Sequence, residues 1–335
     1  MRPELAALAA RQGGVFLRRQ AAECGYSRKE IELLHRRGAW TRVRYGAYAD
    51  AAEYERHDDV GRYQARARAV MLVLDEPHIL SHTSAAALLQ LPVWRADLSV
   101  VHVTRLHSAG GRVQAGVKHH PAGCPYSLRT IVDGMSVTCL ERTAIDVARE
   151  YGFEAGLVVT DAVLHAGGSP ALLEQVVSQM TQWPGVRSAQ AVLEAADGGA
   201  ESVGESLGRL LVVESGLPRP VTQVVITDGE FRARVDMLIE QLALVIEFDG
   251  KGKYQRIAEH GQATDADLVW AEKLREDRLR ELGYEVVRLT WGDLFGARRV
   301  LALKRLAEAA HRASRRRHGM RPPQRVSLRP GQGRS

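Results

Sequence analysis

Apolar positions recur with a helical period over residues 3–12, and a second helical stretch, LRRQAAECG, follows Gly13-Gly14 and ends at Gly25. Ser27 opens a third helix. SRKE has the form of a capping box, in which the Ser27 hydroxyl accepts from the backbone N–H of Glu30 while the Glu30 carboxylate reaches back. That helix runs to Gly38 with Ile31 and Leu34 on an inward stripe. Beyond it, WTRVRYGAYAD alternates: Arg42 and Arg44 project to one face, Thr41, Val43 and Tyr45 to the other, and Gly46 is placed to turn the strand. Three short helices followed by a hairpin is the order of a winged helix, which assigns residues 1–50.

From 51 to 197 the pattern predicts helices near 57–74, 83–90, 141–150, 154–166, 170–180 and 186–196, with strands at 98–104 and near VKHH. An α-rich middle domain follows. His119 and His120 are adjacent, so a strand points them to opposite faces and they do not chelate one ion together. His82 lies at a loop-to-helix junction and reads as surface or core polar packing.

From 200 the pattern sharpens. AESVGESLGRLLVVESGL is a helix that buries Leu207, Leu210 and Leu211 and stops at Gly216. VTQVVITDG, FRARVDML and ALVIEFDG are β-branched runs separated by short turns, as in an antiparallel meander. DADLVWAEKLREDRLRELG reads as a helix, YEVVRLTW as a fourth strand and 297–313 as a closing helix, giving the order αβββαβα. On that helix Leu268, Ala271, Leu279 and Leu282 form a stripe that includes Arg275.

Composition adds two constraints. Hydrophobic residues make up 45% of 335, enough for two or three cores, and the three cysteines, Cys24, Cys124 and Cys139, show no CxxC spacing. No signal-peptide pattern or spanning apolar run occurs, so the chain is expected to be soluble, cytoplasmic and without a membrane partner. Charge sits at the ends: residues 1–50 hold ten Lys/Arg against five Asp/Glu, and 312–335 hold eight arginines and no acid. Such ends suit phosphate contacts. The candidate DNA-binding cations are Arg28, Lys29, Arg36 and Arg37 on the third helix and Arg42 and Arg44 on the wing.

Candidate chemistry lies in the C-terminal meander. Asp236 falls on its second strand, Glu247 and Asp249 lie two apart on its third and so share a face, and Glu205 can approach from the preceding helix. A carboxylate within the apolar run LALVIEFDG is costly unless a cation sits against it. A divalent ion, Mg²⁺ or Mn²⁺, meets that need and activates water for attack on phosphorus.

These residues, together with EFDG at 247–250, EKLREDRLRELGY at 272–284 and RLTWGDL at 288–294, resemble the PD-(D/E)xK nuclease superfamily. Within it they are most similar to the DUF559 group related to very-short-patch repair endonucleases. The resemblance implies a C-terminal αβββαβ restriction-endonuclease-like domain at 198–313, with a basic disordered tail at 314–335. It further implies Asp236 and Glu247 as metal ligands, with Asp249 and Glu205 as further site acids. The superfamily lysine two residues after the glutamate is replaced by Asp249. A displaced cation must then come from Lys251, Lys253 or Arg275. RRGAWTRVRYGAYAD, SHTSAAALLQLP and DGMSVTCLERTAIDVARE resemble the abortive-infection type IV antitoxin family (AbiEi), which implies DNA recognition and a cognate toxin gene product as a partner. The fold class expected is therefore α+β and multidomain. The function expected is metal-dependent hydrolysis of DNA phosphodiesters by a DNA-bound enzyme, with a type IV antitoxin-like transcriptional regulator carrying an inactive nuclease fold as the alternative.

Overall fold

The structure is a computed structural model that describes residues 1–74, 77–106, 110–250 and 265–317, with backbone alone at 265–269 and 317. Lys251, Lys253 and residues 318–335, as well as the side chain of Leu268, lie outside the described residues. The chain divides into two units, Met1–Ala196 and Asp197–Ser335, each a mixture of helices and sheet.

The first unit begins α1 (Pro3–Arg11), β1 (Val15–Leu17), α2 (Arg18–Glu23), α3 (Arg28–Arg36), β2 (Trp40–Arg44) and β3 (Ala47–Asp50). The capping box at Ser27 forms as the sequence predicts, with Glu30 N donating to Ser27 Oγ at 3.2 Å and Ser27 N donating to Glu30 Oε2 at 2.7 Å. The short strand β1 was not anticipated. It pairs antiparallel with β3, which in turn pairs with β2, so the wing is a three-stranded sheet in the order β1-β3-β2. All three residues of β1 are buried because both faces are covered. Phe16 packs on one side against Trp40 and Tyr48, with ring centroids 4.7 and 6.3 Å away. On the other side Val15 and Leu17 meet Ala65 and Ala69 of a later helix, Asp59–Val73. Three apolar residues in a row carry no period, and the sequence pattern places only the last of them, Leu17, in the helix that follows.

The chain continues through α4 (Ala51–Arg56), α5 (Asp59–Val73), β4 (His78–Leu80), α6 (His82–Leu88), β5 (Val101–Arg105), β6 (Arg112–Gln114), β7 (Val117–Pro121), β8 (Arg129–Val132) and β9 (Met135–Thr138). The helices α7 (Leu140–Tyr151), α8 (Phe153–His165), α9 (Pro170–Ser178) and α10 (Val186–Ala195) follow. The predicted helices are in place, but the segment also holds a six-stranded sheet, β6-β7-β5-β4-β9-β8, so it is less purely helical than expected. The pairs β4/β9 and β5/β7 are parallel and the others antiparallel. Helix α5 separates two cores because its alanines alternate in duty. Ala65 and Ala69 face the wing, while Tyr63, Ala67 and Val70 face the sheet.

The second unit is α11 (Val203–Glu214), β10 (Val221–Asp228), β11 (Phe231–Ile239), β12 (Leu244–Asp249), α12 (Asp265–Glu281), β13 (Glu285–Thr290) and α13 (Gly296–Arg317). Among the described residues this is the αβββαβα order read from the sequence. The sheet order is β10-β11-β12-β13, antiparallel except for the parallel pair β12/β13. Two details differ from expectation. The last helix continues to Arg317, so residues 314–317 belong to it and not to a disordered tail. On α12, Leu279 is buried but Ala271 is exposed, so the apolar stripe covers only the C-terminal part of the helix.

Helix α11 lies close on the sheet because Gly204 and Gly208 leave room for the Phe248 ring, and a Cβ at Gly204 would overlap that ring. Gly204→Ala is therefore expected to destabilise the second unit by about 1–3 kcal/mol through overpacking. Urea unfolding would show it as a lower midpoint. An unchanged midpoint would mean that Phe248 repacks freely.

Candidate functional site

Two polar regions carry the residues singled out by the sequence. The first is the surface of α3 and the wing. Lys29, Arg36, Arg37 and Arg42 are exposed and have no ion-pair partner among the described residues. Arg28 is also exposed, but its Nε lies 2.9 Å from Glu32 Oε1, a carboxylate shared with Arg18 at 3.4 Å. Arg44 departs from the pattern. The ladder pairs Arg42 with Tyr48 and Arg44 with Ala47, leaving Val43 as an extra residue, a β-bulge that breaks the alternation. Arg42 and Arg44 therefore do not share one exposed face: Arg44 is half-buried, and that burial lowers its pKa. Tyr45, 87% exposed, forms the wing tip beside Gly46, whose φ of +80° makes the turn.

The second region crosses the C-terminal sheet. One residue from each strand falls in a row: Gln223 on β10, between the partners of Met237 and Val235; Asp236 on β11, one step beyond the last β11/β12 pair, Met237↔Ile246; and Glu247 on β12, paired with Arg288 on β13. Asp236 Oδ2 accepts from the backbone N of Phe248 at 2.9 Å, which ties the second strand to the third where ladder pairing has ended. Gln223 sits at φ +52°, a backbone region rare for a residue with a side chain, and its Nε2 donates to Glu205 Oε2 at 3.0 Å. Glu205 also accepts from Ser202 Oγ and from the backbone N of Glu201, both at 2.9 Å. The helix acid is thus joined to the row through Gln223, with the N-terminus of its own helix holding its other oxygen. Asp249, two residues beyond Glu247, is half-buried.

Glu247 is 8% exposed, and burial raises its carboxyl pKa against the opposing pull of Arg275. Arg275 reaches it from α12, with Nη2 2.6 Å from Glu247 Oε1. The same guanidinium holds Glu272 through Nε at 2.9 Å and Nη2 at 2.7 Å, and these bonds raise the Arg275 pKa. Arg288 Nη2 binds Glu272 Oε1 at 2.6 Å and Glu276 Oε2 at 2.7 Å, and stands 3.9 Å from Glu247 Oε2. Of the three cation candidates, Arg275 is therefore the one seen against a site acid, while Lys251 and Lys253 fall outside the described residues. Gln223, Glu272 and Arg288 were missed. Glu272 and Arg288 stand inside motifs that were matched as letters, but only strand register and the helix facing assign them a place.

The donor set suits a hard divalent ion: two carboxylates, and the buried Gln223 Oε1, which has no hydrogen-bond partner among the described residues. With Arg275 on Glu247, however, the acids do not converge as a trio within ligand distance. The group of three metal-capable side chains that does so among the described residues is His82, His102 and His120, in the first unit. His82 is buried, so of the two sequence readings, surface or core polar packing, the core one holds. His119 and His120 do face opposite ways, as their adjacency requires, with His119 against His78 and His120 against His82.

The N-terminal segment has a recognisable counterpart. Residues 3–49 match the family model described as transcriptional regulator, AbiEi antitoxin. Two uncharacterized proteins of Mycobacterium tuberculosis, from strains CDC 1551 / Oshkosh and ATCC 25618 / H37Rv, are each 28% identical over 273 residues, 80% of this chain and 92% of theirs. A match of that length cannot fit within the first unit, Met1–Ala196, so the likeness runs into the second as well. No helix among the described residues is long and apolar enough to cross a membrane.

Proposed function

We propose that this chain is a DNA-binding transcriptional regulator of the AbiEi antitoxin type, acting in the cytoplasm, with a C-terminal unit of nuclease-like architecture. The observation that carries the reading is the set of four exposed cations, Lys29, Arg36, Arg37 and Arg42, unpaired among the described residues and gathered on α3 and the hairpin of the segment that matches the AbiEi model. A capped helix flanked by a basic hairpin suits a major groove bordered by two phosphate backbones. The partners are then DNA and, by the antitoxin reading, a cognate toxin gene product. Fluorescence anisotropy with duplex DNA from the chain's own upstream region tests it. Binding should weaken steeply from 50 to 200 mM salt, since each phosphate contact contributes a slope of about −0.9 in log K against log salt. Absence of binding at low salt would remove the proposal.

A second reading rests on the acceptor row Gln223–Asp236–Glu247, which favours a metal-dependent DNA endonuclease of the DUF559 type. In it Asp236 and Glu247 would hold Mg²⁺ or Mn²⁺, which supplies Lewis acidity and a more acidic water. Arg275 then has two duties. It neutralises Glu247 without the ion and, once displaced, offers its guanidinium to a phosphate oxygen. A supercoiled plasmid incubated with Mg²⁺ separates the two readings. If this one holds, the wild-type chain nicks the plasmid, and Asp236→Asn or Glu247→Gln slows nicking on the order of 100-fold or more. Equal behaviour of wild type and both variants leaves the regulator reading alone.

A further inference from the structure

We propose that His82, His102 and His120 form a site for one transition-metal ion of the zinc type, independent of the acidic row in the second unit. Three separate elements bring the ligands together: His82 opens α6, His102 lies on β5 and His120 on β7. Parallel pairing sets His102 opposite Lys118 and Thr104 opposite His120, so the two strand histidines stand on one face of neighbouring strands, two positions apart. Their rings stack with centroids 5.1 Å apart, and His82 stacks on His120 at 3.8 Å. One nitrogen from each ring lies within 4.8 Å of the others, and His102 Nδ1 is 2.9 Å from His120 Nε2.

Two further features point to ligand duty. Metal-bound imidazoles characteristically hold their second nitrogen in a hydrogen bond that sets tautomer and ring orientation. His82 Nδ1 lies 2.9 Å from Ser81 Oγ, and His102 Nε2 lies 2.9 Å from Tyr151 Oη. Those contacts leave His82 Nε2 and His102 Nδ1 to serve as ligand atoms. His82 also has a φ of +52°, the left-handed region that side-chain-bearing residues avoid, at the first residue of a helix whose seven residues are all buried.

The chemistry of the donors selects the ion. Three imidazoles favour zinc, cobalt(II) or nickel(II) over magnesium or calcium, which take oxygen. The nearby cations are largely compensated. Lys118 pairs with Glu150, and Arg149 lies 3.2 Å from Asp146. His120 is only partly buried, which leaves a route for the ion. An ion there would tie α6 to β5 and β7.

The test uses the tag-free full-length chain, stripped with chelator and titrated with Co²⁺. Wild type should take up one ion per chain with visible d–d absorption, displaced by one equivalent of Zn²⁺, and its thermal midpoint should rise with Zn²⁺. His120→Asn, at the partly exposed ligand, should weaken uptake about 100-fold or more with an unchanged far-UV spectrum, and Tyr151→Phe by about 10–100-fold. Asp236→Asn with Glu247→Gln should leave Co²⁺ uptake unchanged, which separates this site from the acidic row. Failure of the wild type to bind stoichiometric Co²⁺, or equal uptake by His120→Asn, overturns the proposal.

Discussion

Lys29→Ala, Arg36→Ala, Arg37→Ala and Arg42→Ala combined should lower duplex affinity on the order of 100-fold at low salt and flatten the salt slope by about 3–4, measured by fluorescence anisotropy. The size follows from what these side chains do in the free protein. None has an ion-pair partner among the described residues, so no intramolecular bond is given up on binding and each contact registers as counterion release. Arg28→Ala should matter less, because Arg28 is already held by Glu32 at 2.9 Å and must leave that carboxylate to reach a phosphate. Arg44→Ala should act on stability more than on binding, since the bulge at Val43 leaves Arg44 half-buried. A combined variant with wild-type affinity and salt slope would place DNA contact elsewhere in the chain.

Asp146→Ala should destabilise the first unit by about 3–5 kcal/mol, the range for removing one partner of a buried ion pair. At about 2–4 °C per kcal/mol for a unit of this size, the thermal midpoint falls by roughly 10 °C. Asp146 is fully buried and accepts from Arg142 Nε at 2.9 Å and from Arg149 Nη1 at 3.2 Å. Its loss strands the Arg142 guanidinium, 3% exposed, with the Gly123 carbonyl at 3.2 Å and the face of Trp183 as its support among the described residues. Arg149 loses less, because it also donates to the Pro184 carbonyl at 3.0 Å. Replacing both members, as Arg142→Met with Asp146→Leu, should recover much of the loss because no buried charge is then left alone. Circular dichroism melts of the three proteins decide it, and a single variant as stable as wild type would show that water reaches Arg142.

Much of this was legible before any coordinates. The Ser27 capping box, the αβββαβα order of the second unit and the places of Glu205, Asp236 and Glu247 on helix and strands follow from local periodicity and capping chemistry. What escaped has two physical sources. Short or fully buried strands such as Val15–Leu17 and Met135–Thr138 carry too few residues for a period to show, and both of their faces are apolar or small. The bulge at Val43 is a matter of pairing between strands, which alternation within one strand does not reveal.

The sequence by itself determined the helices and the longer strands, most of the exposed cations of the first fifty residues and the acids of the C-terminal meander, because helix period, strand alternation and capping act over a few residues. Only the tertiary structure decided what those residues meet. Register set Gln223 and Arg288 on either side of Asp236 and Glu247. Helix α12 laid Arg275 on the buried glutamate. Parallel pairing of β5 with β7 brought His102 and His120, eighteen positions apart in the chain, to His82. Such meetings depend on distances across the fold and on the cost of burying charge, which no window along the chain contains.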